Sequence, residues 1–120
     1  MIKQYITEAK VKRLVKKWLL MHGLQPINNN TGTFKKVYTP KSGAKDRVHR
    51  IICGLVGSGD ILVCGRGGLW VEIECKATDG RQRPEQKDRQ KYIDSLGGLY
   101  IVVRCAEDIE AWKDVILNLK

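Results

Sequence analysis

The segment that most constrains this chain is GLVGSGDILVCGRGGLWVEIECK, residues 54–76, in which two apolar-rich runs flank a glycine-rich turn. That pattern predicts a β-hairpin. Successive strand side chains point to opposite faces, so Leu69, Val71, Ile73 and Cys75 form one apolar face of the second strand, and Trp70, Glu72, Glu74 and Lys76 form the other. A hairpin centred near Gly67 sets Asp60 opposite Glu74, with Cβ atoms roughly 5 Å apart. A one-residue slip would send the two acids to opposite faces.

The face that carries the acids also holds Trp70 and, from the partner strand, Leu62 and Cys64, so a covering helix would bury it. Side-by-side burial of Asp60 and Glu74 is costly without positive charge. Lys76 supplies one charge on the same face. A divalent cation would supply two more, and hard carboxylate oxygens suit Mg²⁺ or Mn²⁺ better than zinc.

The chain has 120 residues, the size of one compact domain spanning residues 1–120, with 42% hydrophobic residues and no apolar run near the roughly 20 residues that span a bilayer. Its first 17 residues are too charged for a secretory signal, which predicts a cytoplasmic protein. Lys plus Arg number 22 against 13 acids, for a formal charge of +9. Phosphate is the natural counterpart of such a surface, on nucleic acid or on an anionic membrane. Cys53, Cys64, Cys75 and Cys105 contain no C-x-x-C pair, and His22 and His49 are remote from any paired cysteine. Reduced thiols are expected, with neither a zinc finger nor a disulfide framework.

Residues 4–22 predict a helix stopped by Gly23, with Glu8, Val11, Leu14, Val15, Trp18 and Leu19 on one side and Lys3, Lys10, Arg13, Lys16 and Lys17 on the other. Glu8 lies at the edge of the core face. Residues 26–34 read as turns, 34–38 and 48–53 as strands, and 39–47 as a basic loop; Lys35, Lys36, Lys41, Lys45, Arg47 and Arg50 make this region a candidate phosphate-contacting arm. A helix is predicted from Pro84 to Gly97, with Gln86 and Ile93 sharing its inner face. Residues 99–105 predict a strand internal to the sheet, and 107–119 a closing helix with Ile109, Trp112, Ile116 and Leu119 inward.

Asp60, followed after the hairpin by Glu74-Cys75-Lys76, resembles the D…(E)xK signature of the PD-(D/E)XK nuclease superfamily. The helix carrying Glu8, "GLVGSGD" before the aspartate, "DGRQRPEQ" after the lysine, "LGGLYIVV" beyond it and "NNTG" at residues 29–32 are similar to the VRR-NUC (virus-type replication-repair nuclease) branch. The resemblance implies a restriction-endonuclease-like α/β core with a central mixed sheet flanked by helices. It implies Glu8, Asp60 and Glu74 as metal ligands with the Cys75 backbone carbonyl, Lys76 as catalytic lysine, and Gln86 as a supporting site residue; Glu72 has no matching role. It further implies a Mg²⁺- or Mn²⁺-dependent DNA endonuclease, acting on branched or duplex DNA such as Holliday junctions, a homodimer, and a phage product in a bacterial cytoplasm. The competing expectations are a non-catalytic nucleic-acid-binding domain, in which Asp60, Glu74 and Lys76 form a structural ion-pair cluster, and a nuclease of restriction, nick-directed or RNA-cleaving type. A membrane-surface role for the first helix conflicts with Glu8 on its apolar side.

Overall fold

A computed structural model describes residues 4–29, 32–45, 47–53 and 55–119. The chain is a mixed α/β fold whose main sheet has the strand order β1-β4-β5-β6. These strands are β1 (Ile27–Asn28), β4 (Ile61–Cys64), β5 (Trp70–Cys75) and β6 (Leu99–Val103). β1 and β5 run antiparallel to β4, and β6 runs parallel to β5. A separate antiparallel pair, β2 (Gly32–Tyr38) and β3 (Arg47–Cys53), stands outside that sheet. No helix among the described residues is long and apolar enough to cross a membrane.

The β4–β5 hairpin has the register expected of a turn centred on Gly67. Ile61 pairs with Ile73 and Val63 with Val71, and the same ladder continued by one residue sets Asp60 opposite Glu74. Gly67 and Gly68 both have φ near +80°, a left-handed conformation that strains a residue with a Cβ. Val71, Ile73 and Cys75 are fully buried in the core, together with Ile61 and Val63 from β4.

Helix α1 (Glu8–Met21) covers that face through Val11, Val15 and Leu19, each buried and four residues apart. It starts four residues later than the periodicity suggests. The Thr7 hydroxyl caps it by accepting from Lys10 N at 3.3 Å. The preceding backbone is held extended, with Ile6 N donating to Thr78 Oγ1 at 2.7 Å and Thr78 N donating to Ile6 O at 3.1 Å. Gly23, at φ +76°, follows the helix as expected; Lys3 of its predicted basic side lies outside the described residues.

The other face of the sheet lies under helix α2 (Pro84–Ser95), which connects the parallel strands β5 and β6. Gln86 and Ile93 are its buried residues, as their shared face predicts. β6 is an edge strand among the described residues, not an internal one. Its apolar run reflects helices on its two faces, α2 and α3 (Ala106–Glu110), so Leu99, Tyr100, Ile101 and Val103 are all buried without a second strand neighbour.

Two other expectations change. Residues 27–28, read as turn, form β1 because they pair with Leu62 and Ile61 at the sheet edge. The single closing helix is instead two short ones, α3 and α4 (Lys113–Ile116). Separate anchors hold the two pieces: Trp18 Nε1 donates to Glu110 Oε2 at 2.7 Å, and Arg66 N donates to the Ile116 carbonyl at 3.0 Å. Ile109 and Ile116 face the core, but Trp112 and Leu119 are 40% and 52% exposed, and Leu117 fills the interior instead.

The loop before β4 is pinned by close approach. Gly57 has φ +86°, and a Cβ there would run into the Glu85 carbonyl at the start of α2. Gly57→Ala should therefore cost at least about 3 kcal/mol in urea denaturation. Gly68→Ala, where an added Cβ meets nothing within 4 Å, should cost only the left-handed backbone penalty of about 1–2 kcal/mol.

Candidate metal centre

The acidic side of β5 is not a wet face. Trp70 at its outer end is 52% exposed, whereas Glu72, Glu74 and Lys76 are 0%, 3% and 8% exposed beneath α2. Two buried carboxylates on one strand require separate solutions.

Glu72 is neutralised by the fold. It accepts hydrogen bonds from Gly59 N at 3.1 Å, from Trp70 Nε1 at 2.7 Å, and from both Nε and Nη2 of Arg89, at 3.2 and 2.7 Å. Burial opposes its ionisation, but the Arg89 and Trp70 hydrogen bonds, the Gly59 amide and the Arg89 charge outweigh that, and its pKa is held below the ordinary carboxylate value. The bidentate geometry suits a guanidinium in particular. Trp70 therefore acts as a rim residue that donates to Glu72.

Glu74 has no such arginine. Gln86 Nε2 donates to its Oε1 at 2.8 Å, and Lys76 Nζ stands 3.4 Å from the same oxygen. Gln86 is oriented by its other end, whose Oε1 accepts Arg83 N at 2.8 Å and so caps the start of α2. Burial first, and then the neighbouring Asp60 charge, push the Glu74 pKa up to about 7 despite the opposing pull of Lys76.

Asp60 reaches the site by a different route. Its Oδ2 accepts Cys75 N at 2.8 Å, and its backbone carbonyl accepts Asn29 N at 2.8 Å. The Asn29 side chain also donates to Ser58 Oγ and the Gly59 carbonyl, both at 2.9 Å, tying the loop in place. Asn29 is the first residue of the "NNTG" motif; Asn30 and Thr31 lie outside the described residues, as does Gly54 of "GLVGSGD".

Glu8 in the first turn of α1 completes the group. Carboxylate oxygens of Glu8, Asp60 and Glu74 all lie within 4.8 Å of one another, with Glu8 exposed, Asp60 half-buried and Glu74 buried. They open onto a cavity of 260 Å³ that Lys76, Arg83, Glu85 and Gln86 also line. Three carboxylates this close could hold a metal ion, whose charge would relieve their repulsion.

Of the residues expected at a site, Glu8, Asp60, Glu74, Lys76 and Gln86 thus surround one cavity. Cys75 contributes its main chain, while its thiol is buried on the core face and pushed up to about 12 by burial and by the Asp60 and Glu74 charges. It is inert as a thiolate. Cys64, Cys75 and Cys105 are free thiols.

Sequence reasoning missed Lys12, whose Nζ lies 3.8 Å from Asp60 Oδ1. The signal was present, because Lys12 is one helical turn beyond Glu8. Arg89, three residues beyond Gln86 on the same helix face, was legible in the same way. Arg83 and Glu85 follow from no periodic pattern.

Searches against protein-family models, curated proteins and solved structures find no match to this chain.

Removing Arg89 while leaving Glu72 buried should be severe: Arg89→Leu is expected to lose about 3–5 kcal/mol in chemical denaturation, and Glu72→Gln distinctly less. Glu74 makes a separate prediction about pH. Its folded pKa lies above the ordinary value of 4.5, so its ionisation opposes folding fully above pH 7 and not at all below pH 4.5. With divalent ions chelated, Glu74→Gln should therefore gain stability over the parent at pH 7.5 and lose that advantage at pH 4.5.

Proposed function

We propose that this protein is a metal-dependent DNA endonuclease with a PD-(D/E)XK core of the VRR-NUC type. The observation that carries this reading is the contrast along one strand. Glu72 is fully neutralised by the fold, whereas Glu74 is held buried beside Asp60 and Glu8 at the mouth of a cavity. Lys76 beside Glu74 and Lys12 beside Asp60 set two positive charges against the three carboxylates, which leaves room for a cation.

Glu8, Asp60, Glu74 and the Cys75 backbone carbonyl would hold Mg²⁺ or Mn²⁺, and the bound ion supplies charge neutralisation at the phosphate and acidifies water. Lys76, 3.4 Å from Glu74, would orient the attacking water or stabilise negative charge gathering on the phosphoryl oxygens. Gln86 would position Glu74, donating to it while its other end accepts from Arg83 N. Lys12 balances Asp60 from the side of α1.

The formal charge of +9 supports an anionic polymer as substrate. The family resemblance extends the proposal to branched DNA such as Holliday junctions, to a homodimer that supplies one site for each strand, and to work in phage replication or repair in a bacterial cytoplasm.

The test is cleavage of labelled four-way junctions, flaps, duplexes, single strands and RNA with Mg²⁺ or Mn²⁺. Branched DNA should be cut, Glu74→Ala should reduce the rate at least about 10³-fold and Lys76→Ala about 10²–10³-fold, with DNA binding retained by both variants. Binding without cleavage of any substrate in either metal would establish the non-catalytic alternative. Equal cutting of all the DNA forms would exclude a junction-resolving role.

A further inference from the structure

We infer that the β2–β3 arm is a docking ribbon for double-stranded DNA that feeds the candidate metal centre. This rests on the nucleic-acid reading of the preceding section but not on cleavage.

The arm, residues 32–53, holds six Lys and Arg residues against one acid. Among the described residues its two strands pair only with each other, from Gly32 opposite Cys53 to Tyr38 opposite Arg47. Seven residues per strand give a ribbon roughly 23 Å long. The molecule is correspondingly elongated, with extents of 64 × 38 × 29 Å and a radius of gyration of 17.7 Å, against about 14 Å for a compact chain of this length.

An isolated two-stranded ribbon is marginal in water. The register adds to this, since it sets Lys35 directly opposite Arg50. Like charges in directly paired positions are destabilising. Edge lysines can guard a strand against aggregation, but that role does not call for pairing one with a further cation. A polyanion along the ribbon turns the same arrangement from a cost into an attraction. The tip adds Lys41 and Lys45, both exposed, around a turn in which Gly43 takes φ +77°.

The base of the arm gives the direction. Its first strand begins three residues after Asn29, whose side chain clamps Ser58 and Gly59, and its second strand ends seven residues before Asp60. The base of the ribbon therefore adjoins in sequence the loop that presents Asp60 to the cavity. A two-stranded ribbon is also of a size that the DNA major groove admits.

The experiment is equilibrium binding of a 24-base-pair DNA duplex in EDTA, where no cleavage intervenes, over a salt series. Lys41→Gln with Lys45→Gln alters only the exposed tip and should lower the slope of log affinity against log salt by about 1.8, which is about a tenfold smaller loss of affinity between 50 and 200 mM salt. Lys35→Gln with Lys36→Gln and Arg50→Gln should lower it further. Arg13→Gln with Lys17→Gln, exposed on α1, should leave it unchanged. The inference is overturned if the tip variant keeps the parent slope, or if the α1 variant lowers it equally. It is also overturned if the tip variant is released from phosphatidylserine vesicles while duplex binding stays intact. Because these readings need no metal, a nuclease that binds DNA elsewhere and an arm that binds DNA without cleavage give different results.

Discussion

The buried pair of Glu72 and Arg89 is the interaction on which the rest of this architecture depends. A carboxylate with no solvent exposure in the middle of the sheet would be untenable alone, and its four hydrogen bonds come from three places: the loop before β4, the outer end of β5 and helix α2. Satisfying one charge thus joins three segments. With α2 seated, Gln86 lies over Glu74, and with Gly59 held, Asp60 stands beside it. The candidate centre is the geometric by-product of a structural ion pair one strand-repeat away.

That relationship divides the work among residues of the same chemical type. Glu72 and Glu74 differ by two positions, share a face and are almost equally buried, yet one is held ionised and the other is pushed toward neutrality. The difference lies in their partners. A guanidinium grips Glu72 with two bonds, whereas Glu74 has an amide, a more distant ammonium and a second carboxylate nearby. Only a group that structure has left unsettled can be altered by a ligand, which is why the less stable carboxylate is the more useful one.

Much of this was legible in the residues themselves. The alternation of Leu69 to Lys76 and the glycines at 67 and 68 specified a hairpin register, and that register brought Asp60 to Glu74. Helical spacing turned Glu8 and Gln86 toward the same place. What could not be read was anything decided by a covering element. Glu72 looked like a bystander because helical spacing turns Arg89 inward without saying which acid it will meet. β6 looked internal because an apolar run records burial without saying whether strands or helices provide it. The break between α3 and α4 depends on anchors from Trp18 and Arg66, far away in sequence. Local patterns specify faces; tertiary contacts decide what each face meets.

The three acids of the centre belong to segments that begin the chain, precede β4 and end β5, separated by 52 and 14 residues of sequence. No contiguous fragment of modest length contains them all, and no partly folded state with α1 undocked can gather them. Any cation that depends on the trio therefore has negligible purchase on the unfolded chain, and its binding free energy is added in full to the stability of the folded one. Assembly of the centre is in this sense a checkpoint on folding: a nascent or damaged chain has the three carboxylates but does not bring them together.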